Sequence, residues 1–106
     1  MFQSLIQTLL DRGAGLHGYQ ALADEAYEKA RTAPEAAAFF MLAKQAEDFA
    51  EFNERMPVPA SELEAMFARI TNNIRALDKA YSSHDRTAVL DTLTAMAQDA
   101  AKLRMT

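Results

Sequence analysis

Glycine and proline divide this sequence into a few long segments, and the residues between them favour helix. The three glycines and three prolines lie in short stretches at positions 13–18, 34 and 57–59. Alanine occurs 22 times, whereas valine and isoleucine together occur only five times. Because alanine is the strongest helix former and β-branched residues favour strands, the sequence predicts an all-α fold.

Composition limits the classes of protein to which the chain can belong. A length of 106 residues with 50% hydrophobic residues is typical of one globular domain. The net charge is −4 and basic residues are scattered among acidic ones, so we expect no nucleic-acid binding. Cysteine is absent, which excludes disulfide and Cys-zinc scaffolds. No segment approaches the roughly 20 apolar residues of a membrane span, and residues 1–15 do not resemble a signal peptide. We therefore expect a cytoplasmic protein.

Apolar residues recur at helical spacing in five segments of the chain. Short loops between such segments place neighbouring helices antiparallel. We therefore predict a single helical domain over residues 1–106, an up-down four-helix bundle with an additional short N-terminal helix. The predicted ranges are 1–13 for the short amphipathic helix and 16–31, 33–56, 61–82 and 84–104 for the bundle helices.

Local signals place the ends of these helices and their buried faces. Thr32 with Glu35, and Ser61 with Glu64, have the spacing of a capping box at a helix start. Pro57 ends the third helix, because proline cannot continue a helix. The stripe predicted for the fourth helix is Leu63, Met66, Phe67, Ile70, Ile74, Leu77 and Tyr81. The line predicted for the last helix is Val89, Leu93, Met96, Ala100 and Leu103.

Apolar side chains cover an unusually wide arc of the third predicted helix. At 100° per residue they span roughly 200° of its circumference, whereas a surface helix needs a stripe of about 100°. Phe40 lies outside even this arc, near Glu47 and Glu51. Two explanations stay open. Either this helix is central and the N-terminal helix covers its second face, or the additional apolar residues contact another chain. Met and aromatic residues are enriched at protein interfaces.

The N-terminal helix has a similar ambiguity. At roughly ten residues it is too short to be stable alone in water. Its apolar face could dock on its own bundle, exchange with a second subunit or bind a membrane surface. We do not expect membrane binding, because Arg12 is the only basic residue on its polar face and interfacial helices carry several.

No constellation of residues predicts catalysis. The sequence has no cysteine nucleophile, no G-x-S-x-G elbow, no H-E-x-x-H motif and no phosphate-binding loop. Glu47 and Glu51 lie one helical turn apart and could share a hard cation, but a solvated charged face explains them as well. We therefore predict a protein that is not an enzyme and needs no cofactor or metal.

The sequence therefore favours a non-enzymatic helical protein-interaction module, such as an adaptor, an inhibitor or a small chaperone. We expect it to be homodimeric and to bind a protein partner or a second copy of itself. Apolar anchors would supply affinity, and the neighbouring acids and Lys44 would set selectivity. The predicted interaction surface is Phe2, Ile6, Leu9, Phe40, Met41, Phe52 and Met56.

An alternative hypothesis is a ligand-binding bundle that holds haem or a metal through His17 and a methionine. The predicted topology brings four such side chains toward one end of the bundle. They are His17, Met56, Met66 and Met105.

Overall fold

The structure, a computed structural model, describes residues 1–104. Five helices occupy this part of the chain and no residue of it forms a strand, which confirms the predicted all-α class. They are α1 (Gln3–Asp11), α2 (Leu16–Ala30), α3 (Ala36–Phe52), α4 (Ala60–Ser82) and α5 (Arg86–Arg104). Each corresponds to one predicted segment, and the main differences in position lie at the two ends of α3.

The start of α3 differs from the prediction because Thr32 lies in the turn that follows α2. The backbone N–H groups of Thr32 and Ala33 donate to the carbonyl oxygen of Lys29 at 3.3 and 2.9 Å, which prolongs the last turn of α2. Ser61 lies inside α4, whose N-cap is Pro59. Neither α3 nor α4 has a side-chain hydrogen bond at its N-cap. Both predicted capping boxes are therefore wrong.

The end of α3 falls at Phe52 rather than at the predicted Met56. In a longer helix, Pro57 could not donate to the carbonyl of Asn53, and its ring would clash with that carbonyl. Instead, Asn53 Nδ2 donates to the carbonyl oxygen of Phe49 at 2.9 Å, and the Met56 N–H donates to the Asn53 carbonyl at 3.3 Å. These bonds form a turn that carries Phe52 and Met56.

The most extensive helix contact joins α2 and α3, which run antiparallel. Tyr19, near the start of α2, contacts Phe49 near the end of α3, with ring centroids 4.9 Å apart. Tyr27, near the end of α2, contacts Phe40 near the start of α3 at 5.6 Å. The buried faces of both helices are rich in alanine, which lets helix axes approach closely. These alanines are Ala23, Ala26, Ala38, Ala43, Ala46 and Ala50.

The apolar face of α1 packs within its own chain, against α2 and α4. Phe2, Leu5 and Leu9 have no exposed surface. Placing Phe2 and Leu9 on an interaction surface is therefore wrong for this fold, because both are core side chains. Of the alternatives open for the N-terminal helix, the structure has the first, docking on its own bundle.

Polar contacts hold α1 in place at both of its neighbours. On α4, Asp78 Oδ1 accepts the Phe2 N–H at 3.0 Å and lies 3.4 Å from the Met1 ammonium. On α2, Glu25 accepts hydrogen bonds from the hydroxyls of Ser4 and Thr8. Burial and polar contacts thus act together on a helix too short to be stable alone.

The predicted stripe of α4 is buried or half-buried along its whole length. The prediction for α5 is only partly right. Met96 is buried, and Val89 and Leu93 are half-buried, but Ala100 and Leu103 are exposed. The reason is that α5 continues past the core, where the last buried side chain that it supplies is Met96.

Candidate interaction surface on α3

The large exposed apolar side chains of α3 and of the turn after it are the candidate site. Phe52 is 87% exposed, Met56 70% and Phe40 52%. Met41 is half-buried and packs against the core at its inner edge, and Ile6 on α1 does the same. We call Phe40, Met41, Phe52 and Met56 together the α3 surface.

The helical members of the α3 surface share one side of the helix. At 100° per residue, Met41 and Phe52 lie about 20° apart around the axis, and Phe40 lies about 100° from Met41. The opposite side carries the buried residues that face the core, among them Phe39 and Leu42. The wide apolar arc read from the sequence therefore divides into a core face and an outer face.

Phe40 occupies one end of the α3 surface, where α2 and α3 meet. Its ring packs edge-on against Tyr27. The two side chains border a shallow open groove, whose other walls come from the last two turns of α2 and the residue after it. These walls are Asp24, Glu28, Ala30 and Arg31. Phe40 is thus supported on one side by an aromatic ring and open to solvent on the other.

Charged side chains occupy the middle of the outer face. Lys44 Nζ lies 3.3 Å from Asp48 Oδ1 and 3.4 Å from Glu47 Oε1. The hydrogen bond that Lys44 donates to Asp48 and the charge of Asp48, followed by the hydrogen bond that Lys44 donates to Glu47, raise the pKa of Lys44. The hydroxyl of Tyr27 donates to the same Glu47 oxygen at 3.0 Å, so that Glu47 is directed toward α2. The carboxylate that could have shared a cation with Glu51 is thus engaged by Tyr27 and Lys44.

The residues of the ligand-binding hypothesis lie in different environments. The His17 side chain is exposed on the first turn of α2, Met66 is buried in the core and Met56 is exposed ahead of α4. Met105 lies outside the described residues. Within residues 1–104, no group of three or more His, Cys, Asp or Glu side chains could hold a metal ion. The haem or metal site stays a prediction without a structural observation in its favour.

Besides Leu103, two exposed leucines lie away from α3 and were not predicted as surface residues. Leu10 on α1 is 50% exposed and Leu90 on α5 is 64% exposed. Each follows a more buried apolar neighbour, Leu9 or Val89. Adjacent helical residues point about 100° apart, so the spacing itself indicates that both members of such a pair cannot face the core equally.

Comparison of the chain with protein-family models, with curated proteins and with solved structures found no match. In the described part of the chain, no helix is both long and apolar enough to cross a membrane. Function must therefore be inferred from the α3 surface and its surroundings.

Proposed function

We propose that this protein is a non-enzymatic helical protein-interaction module, and that its α3 surface binds a second copy of the chain. Adaptors, inhibitors and small chaperones are the functional classes that use such a module. The observation that carries the proposal is the exposure of Phe52, at 87%, beside Met56, at 70%. Aromatic and methionine side chains are enriched at protein interfaces, where they act as apolar anchors.

Energetic considerations support self-association through this surface. Complete burial of a Phe or Met side chain contributes about 2 kcal/mol relative to exposure. Association costs roughly 4–15 kcal/mol in lost freedom of motion. In a twofold dimer each chain contributes Phe52 and Met56, which are mostly exposed, and the exposed parts of Phe40 and Met41, all against one such cost.

The scaffold around the anchors also supports the proposal, because it fixes them before binding. The hydrogen bond from Asn53 to Phe49 holds the turn that carries Phe52 and Met56. The Tyr27 ring supports Phe40. Anchors that are held in place lose less conformational freedom on binding, which strengthens association.

We propose that the surface is presented by the up-down bundle predicted from the sequence. The antiparallel contacts of Tyr19 with Phe49 and of Tyr27 with Phe40 support this arrangement for its central pair of helices. The charged residues around the anchors, Lys44 among them, would select the partner.

The solution mass tests the proposal directly. Light scattering coupled to size exclusion, at tens of micromolar protein, should give twice the chain mass of 11.7 kDa. Phe52→Glu should give the monomer mass, because a charge would be buried in the interface. Its helical circular dichroism should stay unchanged, since this side chain has little contact with its own chain.

Leu90→Glu is the matched control, because Leu90 is a similarly exposed apolar side chain on α5. This variant should remain a dimer. A wild-type mass of 11.7 kDa at every concentration would overturn the proposed self-association. A dimer that persists in Phe52→Glu would overturn the assignment of the interface to the α3 surface.

A further inference from the structure

We infer that two copies of the chain associate with their α3 helices antiparallel, Phe52 of each copy opposite Met41 of the other and Lys44 beside the other copy's Asp48. This inference rests on the proposed function. It adds the register in which the two α3 helices pair and the charged contacts that favour this register. The occupant of the α3 surface is thus a second copy of this chain in one defined orientation.

The spacing of Met41 and Phe52 determines where the centre of such a pair lies. Met41 and Phe52 lie about 20° apart around α3 and eleven residues apart along it, which is about 16 Å. Two antiparallel helices related by a twofold axis have one central position. A residue a given number of positions before that centre then faces the residue of the other copy that lies the same number of positions after it. Met41 therefore meets Phe52 only when the centre lies between residues 46 and 47.

The charged residues of α3 are independently placed around nearly the same centre. The midpoint between Lys44 and Asp48 is residue 46, which is within one residue of the midpoint between Met41 and Phe52. A register that joins Met41 to Phe52 therefore also brings Lys44 near the other copy's Asp48. The interface then has opposite charges at its middle and apolar contacts at both ends, and each half complements the other.

The other acid near the middle of α3, Glu47, could repel its counterpart across the twofold axis. Glu47 is directed away from the axis, because its carboxylate accepts the Tyr27 hydroxyl at 3.0 Å on the side of α2. Asp48 lies about 100° from Glu47 around α3, on the side of Met41 and Phe52. Lys44, at 3.3 Å from Asp48 within its own chain, has three donors and can bridge both copies. Alternating charges from two copies then form a network of four groups.

A parallel pairing would lack these features. It would place Phe52 against Phe52 and Met41 against Met41, but it would also place Lys44 against Lys44 and Asp48 against Asp48. Like charges that face each other across an interface oppose association. The order of charges along α3 therefore favours the antiparallel orientation.

Charge-swapped variants test this register. Lys44→Glu and Asp48→Lys each place like charges across the interface of their own homodimer, so each alone should dimerise at least about tenfold more weakly. A mixture of the two should form heterodimers, because both cross-pairs are then opposite in charge. If each homodimer is about tenfold weaker than the heterodimer, heterodimers should reach about nine-tenths of all dimers, against a statistical half.

Mixing separates the interface from effects within one chain. Each variant also changes the pair that Lys44 and Asp48 form in its own helix, but this change is the same in homodimer and heterodimer. The matched control is Asp99→Lys mixed with Lys102→Asp, an exposed pair of opposite charges on α5. That mixture should stay at the statistical distribution, as measured by native mass spectrometry with one chain isotopically labelled.

Cysteine cross-linking provides a second measurement of the register in a chain that has no cysteine of its own. A disulfide needs Cα atoms within about 7 Å. Met41→Cys mixed with Phe52→Cys should therefore cross-link under mild oxidation. Neither variant alone should do so, because identical positions would lie about 16 Å apart along the axis.

The outcomes distinguish this inference from the proposed function. A wild-type dimer that shows heterodimer preference and mixed cross-linking supports both. A wild-type dimer with a statistical distribution of the charge-swapped chains overturns the antiparallel register and leaves the proposed function standing. Cross-linking of Phe52→Cys with itself overturns the register in the same way. A monomeric wild type overturns both.

Discussion

Gly18 of α2 lies so close to Leu9 of α1 that no side chain fits between them. A β-carbon at position 18 would lie 2.9 Å from Leu9 Cδ1 and 3.1 Å from the Leu9 carbonyl oxygen. The side chain could turn away, but the carbonyl belongs to the backbone of α1 and can move only with that helix. The contact explains why a helix former is absent from this position of α2.

We predict that Gly18→Ala destabilises the protein even though alanine favours helix by about 1 kcal/mol over glycine. Overpacking of a close contact costs typically 1–3 kcal/mol, so the net loss should be about 1 kcal/mol. Urea denaturation followed by circular dichroism measures it. Gly15→Ser is the control: nothing lies within 4 Å of a β-carbon there, and serine suits the N-cap of α2. A more stable Gly18→Ala variant would contradict the prediction.

We predict that Tyr19→Phe stabilises the fold. Tyr19 has no exposed surface, and its hydroxyl has no hydrogen-bond partner among the described residues. An unsatisfied buried polar group costs about 1–3 kcal/mol, so its removal should raise the free energy of unfolding by about 1 kcal/mol. Tyr27→Phe is the matched control, because that hydroxyl donates to Glu47 and its loss should bring no gain. Equal effects of the two substitutions would exclude this explanation.

Stability should fall as the pH rises above 10. Burial raises the pKa of Tyr19 to about 12, above its ordinary value of 10.0. Between these values the unfolded chain loses a proton that the native protein keeps, so the free energy of unfolding decreases by up to about 1.4 kcal/mol per pH unit. Below pH 10 this contribution is complete. Burial also raises the pKa of Tyr27 and Tyr81.

Urea midpoints between pH 8 and about pH 11.5 measure this decrease. Tyr19→Phe should make the decrease shallower without abolishing it, because Tyr27 and Tyr81 act in the same direction. An unchanged slope in that variant would show that Tyr19 does not carry the effect.

We predict that His84→Gly also stabilises the fold. His84 adopts a left-handed backbone conformation, with φ 56°, in the exposed turn between α4 and α5. This conformation destabilises a residue with a β-carbon by about 1 kcal/mol, whereas glycine adopts it without that cost. Glycine also gains entropy in the unfolded chain, so the net stabilisation should be about 0.5 kcal/mol. Thermal unfolding measures it.

Ala14→Gly provides the comparison for His84. Ala14 has a similar φ of 54°, but it packs against the core. Ala14→Gly removes an apolar contact as well as the backbone strain, so this variant should be stabilised less than His84→Gly or not at all. A larger gain at position 14 than at position 84 would contradict the assignment of strain to backbone conformation.

Periodicity predicts the helices of this protein well, because their buried faces repeat regularly. The stripe of α4, from Leu63 to Tyr81, is found as expected. Single-residue signals are less reliable at the ends of α3. Thr32 has the right spacing for a capping box, but its backbone N–H prolongs the last turn of α2 instead. Which of the two occurs depends on the conformation of the chain directly after α2.

Periodicity cannot tell what an apolar face packs against. Phe2 and Leu9 have the same spacing whether α1 docks on its own chain or elsewhere. The docking depends on Gly18 and on Asp78, which lies 76 residues along the chain from its partner Phe2. The outer position of Phe40 could be predicted, because it falls outside the apolar arc. The division of that arc into a core face and an outer face required the packing of α2.

The exposed second half of α5 implies a gradient of amide hydrogen exchange along one continuous helix. Before Met96, opening an amide means separating α5 from α3 and α4. In residues 97–103 every side chain belongs to the exposed class, so opening breaks backbone hydrogen bonds and separates less apolar surface than opening before Met96. Amides of this stretch should therefore exchange orders of magnitude faster than those around Ile70 and Ile74. A helix uniform in geometry would then consist of two parts with very different local stability.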